Sequence, residues 1–283
     1  MRPVRQPIPD VVAHRGASAH RAEHTRGAYE LALEQGSDAL ECDVRVSRDG
    51  HLVCVHDRRI DRTSNARGVV SELTVDGMAG VDFGSWHREL PGSADELVDW
   101  TGPAPEHGVL TLDELLGMVG DHPRPVRLFV ETKHPVRYGG LVERELVALL
   151  ARHGLDAPAD PERSTVLMMS FSQAAVRRFR AAAPLVPTVL LFDRFRGSWR
   201  NGVLPPWADI AGPGIRLLRE DPGFVARAAA LGRDTYCWTV DDPADVELCE
   251  RAGVRYLATN SPASTRSHLA DPDLPRFGSV TTK

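Results

Sequence analysis

The chain has 283 residues, with 34 Lys and Arg against 39 Asp and Glu and a net charge of −5 at pH 7. Its 42% hydrophobic and 26% charged residues suit a globular protein with a large core and exclude wholesale disorder. The mild acidity argues against a nucleic-acid binder held by a basic field, and no apolar run approaches the roughly 18 residues of a membrane span.

In chain order, the polar, Pro-rich residues 1–10 lack the apolar segment of a signal peptide. A strand is predicted at 11–13. A helix follows at 25–35, with Ala28, Leu31 and Ala32 on one face and Gly36 just past its end. Residues 39–46 read as a second strand. The stretch 58–108 is rich in Gly, Asp and Pro and reads as an insertion. Strands then alternate with helices: strands at 127–132, 165–171, 188–192, 235–240 and 255–258, helices at 141–153, 173–183, 222–231 and 243–252, and a loop at 194–207. Such alternation implies a parallel sheet covered by helices. About seven or eight units over roughly 250 residues favour an α/β (β/α)₈ barrel (TIM barrel) spanning 8–265, with the insertion after the second-strand hairpin. An open doubly wound sheet is the alternative, weakened because no Gly-rich phosphate loop follows a strand. Residues 266–283 lack periodicity and are expected to form a flexible tail.

Four cysteines do not make a disulfide framework in a chain of this length, and none shows CxxC spacing. Cys42, Cys54, Cys237 and Cys249 are expected to be buried small hydrophobes in a reducing, cytoplasmic setting.

The chemistry concentrates between Glu41 and Asp57. Asp49-Gly50 signals a two-residue hairpin turn, which would set Asp43 opposite His56. Glu41 and Asp43 share a strand face, so two carboxylates and an imidazole converge on one patch. Like charges so placed call for an offsetting partner, and a hard divalent cation such as Mg²⁺ or Ca²⁺ suits carboxylate oxygens. The plainer alternative is a polar hairpin with solvated charges. Glu131 and Lys133 share a face at the C-terminal end of another strand, where barrels gather functional groups. A carboxylate beside an ammonium could hold a phosphate bridging metal and Lys133, or could be a surface ion pair. His14, Arg15 and Gly16 close the first strand: Arg15 offers a fork for phosphate, Gly16 permits a close backbone turn, and His14 on its own reads equally as a satisfied core histidine. The insertion carries Phe83, Trp86 and Trp100. Trp199 and Trp207 read as packing residues, and His51, His87, His107 and His122 as solvated loop residues.

Taken together, His14-Arg15-Gly16, Ala22-Glu23-His24-Thr25, Glu41-Cys42-Asp43-Val44, Asp49-Gly50, His56-Asp57, Glu131-Thr132-Lys133, Trp238-Thr239 and Thr259-Asn260-Ser261-Pro262 resemble the ordered motifs of the glycerophosphodiester phosphodiesterase family. The resemblance implies a metal-dependent phosphodiester hydrolase that releases glycerol 3-phosphate and an alcohol. By it, Glu41, Asp43 and Glu131 would hold one divalent cation, Mg²⁺ or Ca²⁺, and His14 and His56 would form the acid–base pair. Arg15 and Lys133 would bind phosphate, Trp238 would wall the pocket, and Glu23 would lie near the metal or its water. The substrate would be a small glycerophosphodiester, attacked by water or by its own glycerol hydroxyl. The chain departs from the pattern at Ala22 and His24, where the family has Pro and Asn, and at Asn260, where it has Asp. Two other readings keep the barrel: phospholipase D-like cleavage of lysophospholipid or sphingomyelin, and a non-catalytic phosphate-binding barrel.

Overall fold

The structure is a computed structural model and describes residues 8–87, 107–136 and 139–270. The strands are β1 (Asp10–His14), β2 (Ala39–Val46), β3 (Leu52–Cys54), β4 (Arg127–Thr132), β5 (Val166–Ser170), β6 (Thr188–Phe192), β7 (Ile210–Pro213), β8 (Tyr236–Cys237) and β9 (Tyr256–Thr259). All but β3 are parallel and follow the order β7-β6-β5-β4-β2-β1-β9-β8. Bridges from Ala211 to Thr235 and from Gly214 to Trp238 join β7 to β8 and complete the ring. This is the (β/α)₈ barrel expected from the alternation.

The helices are α1 (Arg26–Glu34), α2 (Val75–Met78), α3 (Leu112–Asp121), α4 (Leu141–Arg152), α5 (Gln173–Ala182), α6 (Ile215–Glu220), α7 (Gly223–Ala229), α8 (Pro243–Ala252) and α9 (Pro262–Ala270). Side-chain oxygens of Thr25, Thr111, Ser172 and Asp242 cap α1, α3, α5 and α8, satisfying amide groups the first turn leaves without partners.

Strand side chains alternate between two cores. Leu40, Cys42, Val44, Leu128, Val130 and Met168 point outward and pack with Tyr29, Leu146, Val176 and Phe179 of the helices. Val12, Ala39, Phe129, Leu167, Val189, Tyr236 and Tyr256 fill the interior. His14, Glu41, Asp43, Glu131 and Lys133 fall on the interior parity, beyond this apolar layer, toward the C-terminal ends of the strands. The register sets them side by side, His14 beside Glu41 and Asp43 beside Glu131.

Several expectations need correction. The hairpin register is shifted by one residue: Val44 pairs with Cys54, and the amide of Val55, not of His56, donates to the Asp43 carbonyl. The loop holds three residues, with Gly50 at φ +90° in the left-handed region, and Ser47 bonds Asp49 across it. β3 ends at Cys54, so His56 reaches the site from a loop. The strand expected at 235–240 is two residues long, and β7, α3 and α6 were not anticipated. α9 covers 266–270, the start of the expected tail; the remainder lies outside the described residues. Within the insertion, Ile60, Val70, Met78 and Phe83 form a small core against Val53 and Val55; Trp100 lies outside the described residues.

Candidate active site

Glu41 and Asp43 are each 1% exposed and Glu131 is 7% exposed, and one carboxylate oxygen from each lies within 4.8 Å of the other two. Two cations compensate this buried negative charge. Lys133 Nζ lies 3.0 Å from Asp43 Oδ1 and donates to Glu131 Oε1 at 2.8 Å. Arg15 Nε lies 3.0 Å from Asp43 Oδ2, and the Arg15 amide donates to Glu41 Oε2 at 3.0 Å. That amide is aimed by a left-handed backbone, φ +59° at Arg15 followed by +84° at Gly16. A side chain at Gly16 would press within 2.7 Å of the Ala28 backbone, so this turn requires glycine.

Burial pushes the Glu41 and Glu131 carboxyls up, with the Asp43 charge adding to it; Glu131 reaches about 8. Burial acts on Asp43 too. There the hydrogen bond from His24 and the charges of Lys133 and Arg15 outweigh it and hold the carboxyl well below the usual range. His24, also left-handed at φ +63°, is buried between Asp43 Oδ2 at 3.0 Å and the Tyr29 hydroxyl at 2.9 Å.

The two imidazoles are held alike, each by Nδ1. His14 Nδ1 bonds Asn260 Oδ1 at 2.8 Å, and its Nε2 sits 4.0 Å from Glu41 Oε2. His56 Nδ1 bonds Asp57 Oδ1 at 2.7 Å, while Arg45 grips the His56 carbonyl with Nε and Nη2. Neither Nε2 has a hydrogen bond among the described residues. Burial and the Arg15 charge push His14 down to about 4. Burial also lowers His56, against the Asp43 charge. Arg62, from the insertion, ties Asp57 to Glu23, and Glu23 in turn accepts from Arg15 Nη1 at 3.2 Å. Burial raises the Glu23 carboxyl, but its hydrogen bonds from Arg62 more than reverse this, leaving it at about 2.

The comparisons with known proteins agree with one another. The sequence model of the Glycerophosphoryl diester phosphodiesterase family matches residues 14–264. The chain belongs to this family. It is 50% identical over 266 residues to a Mycobacterium tuberculosis (strain ATCC 25618 / H37Rv) protein named "Probable glycerophosphodiester phosphodiesterase 1", covering 93% of each chain. It is 32% identical over 257 residues to the Bacillus subtilis (strain 168) "Glycerophosphodiester phosphodiesterase", covering 89% of this chain and 83% of that one. An Oleispira antarctica phosphodiesterase, solved with the product sn-glycerol-3-phosphate, shares the fold with a TM-score of 0.76 at 21% identity, over 93% of this chain and 98% of that chain. The protein is thus a phosphoric diester hydrolase of the glycerophosphodiester phosphodiesterase family.

The structure of this phosphodiesterase gathers Glu41, Asp43, Glu131, Lys133, Arg15 and His14 into one contact network, and the charges of Asp43, Arg15 and Lys133 act on His56. Glu23 lies on Arg15 and Arg62. Trp238, half-buried, donates to the Gly212 carbonyl and meets Phe171 edge-on at 5.1 Å. The motifs include Asn260 and Asp57 without assigning either a contact, and Asp241 and Arg62 carry no local signal. His51 is exposed as expected. His87, His107 and His122 are half-buried instead; His87 bonds the Ser18 carbonyl and His122 the Arg124 carbonyl. Trp86 is exposed, whereas Phe83 is buried in the insertion core. The four cysteines are buried and unpaired, and among the described residues no helix is long and apolar enough to cross a membrane.

Proposed function

We propose that the enzyme hydrolyses a small glycerophosphodiester to glycerol 3-phosphate and an alcohol, with His14 and His56 as its acid–base pair. One observation carries this reading: two imidazoles, each anchored at Nδ1 and open at Nε2, accompany a buried carboxylate trio at the mouth of the barrel. The donor set fits a hard divalent cation, Mg²⁺ or Ca²⁺. All three donors are carboxylates, and their oxygens lie as close as common ligation at about 2.0–2.6 Å requires. Glu41, Asp43 and Glu131 would hold the ion, whose charge would stabilise the phosphoryl oxygens as negative charge builds there.

Arg15 and Lys133 bring two fixed positive charges to the same place. A phosphodiester anion would take up these donors in a site sheltered from water, where charge-assisted bonds are strong. One histidine removes a proton from the nucleophile and the other protonates the departing alkoxide, each through its open Nε2. Trp238 forms an apolar wall, and Glu23 steadies Arg15 from behind.

A coupled assay for glycerol 3-phosphate over a panel of short, water-soluble diesters tests the proposal. Chelator should abolish release, and Mg²⁺ or Ca²⁺ should restore it. His14→Ala and His56→Ala should each lower turnover by roughly 10²–10⁴. Near-normal turnover in both variants with cation bound would sink the assignment.

A further inference from the structure

We infer that Asp241 is a positioning residue that fixes the tautomer of His14 by controlling which end of the Asn260 amide faces the ring. The inference rests on His14 being a proton-transfer group, as proposed above.

Asp241 follows β8 and Asn260 follows β9, and these neighbouring strands bring the two side chains together at the barrel mouth. Asp241 Oδ1 accepts from the Asn260 amide at 2.7 Å and from Thr259 Oγ1 at 2.9 Å. Its Oδ2 accepts from Asn260 Nδ2 at 2.6 Å. A carboxylate offers only acceptors, so the NH₂ end of Asn260 must turn toward Asp241. The other end, Oδ1, then lies 2.8 Å from His14 Nδ1 and 2.8 Å from Ser18 Oγ. A carbonyl oxygen cannot donate, so the proton of neutral His14 sits on Nδ1. Nε2 is left with its lone pair, 4.0 Å from Glu41 Oε2 and able to accept a proton. An aspartate at 260 would present acceptors at either end and need no such guidance. An asparagine presents a donor or an acceptor, and Asp241 makes the choice.

The test reverses that choice. In Asp241→Asn the new amide accepts from the Asn260 backbone and turns its own NH₂ toward the Asn260 side chain. Asn260 then flips, presents NH₂ to His14 and moves the ring proton to Nε2. Nitrogen-15 NMR of the Mg²⁺-loaded enzyme, with ¹⁵N-histidine and the His14 signal assigned by its loss in His14→Gln, reads the protonated nitrogen directly. Turnover should fall by roughly 10²–10⁴ with KM little changed, as expected for a wrong tautomer. The exchange variant, Asp241→Asn with Asn260→Asp, restores a one-way donor–acceptor arrangement. It should return the proton to Nδ1 and recover most of the turnover, and it decides the matter if the single variant does not fold. A proton that stays on Nδ1 in Asp241→Asn, or an exchange variant that recovers neither tautomer nor rate, overturns the inference. A tautomer that switches without loss of rate upholds the role of Asp241 and overturns instead the catalytic role of His14.

Discussion

Glu131 lies two positions beyond Phe129, Glu41 two beyond Ala39 and His14 two beyond Val12. Over that step the barrel interior changes from an apolar plug to a charged cluster. In the plug, Phe129 meets Tyr236 at 4.9 Å and Tyr256 at 5.1 Å, and burial of rings supplies stability. In the cluster, three carboxylates and two cations are withdrawn from water, an arrangement that costs desolvation energy and contributes little net stability. The same strands thus carry a stabilising layer and, one step later along the same face, a layer that stability alone would not select.

The widest separation between the layers should appear on exchanging one residue in each. Glu131→Gln should lower kcat/KM by roughly 10³, corresponding to the several kcal/mol a metal supplies, while thermal unfolding stays within a few degrees of the parent. Phe129→Ala should do the reverse and cost about 3–5 kcal/mol of stability, with activity per folded molecule largely kept. Calorimetric unfolding paired with steady-state kinetics would expose any failure of this division.

A smaller effect should follow from loading the cluster. A cation at about 100 times its Kd adds about 2.7 kcal/mol to folding, so Mg²⁺ or Ca²⁺ should raise the melting temperature by several degrees. The ion requires ionised ligands, and burial raises the free Glu131 carboxyl to about 8 and lifts Glu41 as well, so binding at pH 7 should expel at least one proton. Affinity should strengthen as pH rises from 6 to 8. Titration calorimetry in buffers of different ionisation heat measures both, and pH-independent affinity would contradict the placement. The smallest effect belongs to the rim. Phe171→Ala removes an edge-on ring from Trp238 on a half-exposed surface and should cost about 1 kcal/mol.

Much of this organisation is legible in the residues. β2, β4 and β6 match their apolar runs because buried strands of a parallel sheet are nearly continuous in hydrophobicity. Period-two spacing also places Glu41 with Asp43 and Glu131 with Lys133. β7 escapes notice because Ile210-Ala211-Gly212-Pro213 contains Gly and Pro, and the absent side chain of Gly212 makes room for Leu191 and the Leu190 backbone. The hairpin register differs from the two-residue turn that Asp49-Gly50 signals because a left-handed Gly50 serves a three-residue loop as well. His56, in the loop after β3, nevertheless feels the charges of Asp43, Arg15 and Lys133. The links from Asp241 to Asn260 and from Arg62 to Glu23 join residues distant in the chain, and no local pattern encodes them.

The joint between β7 and β8 is drawn together by two single-residue bridges, whereas β2 and β4 are laced through six paired residues. A vessel hooped this unevenly yields first along its slack stave, and Trp238 stands on it. The carboxylates and His14 are seated on the tightly bound staves across the ring. On the proposed chemistry, accommodation of differently shaped alcohols would fall to the loose side, and the reacting phosphorus would keep a fixed seat on the firm one.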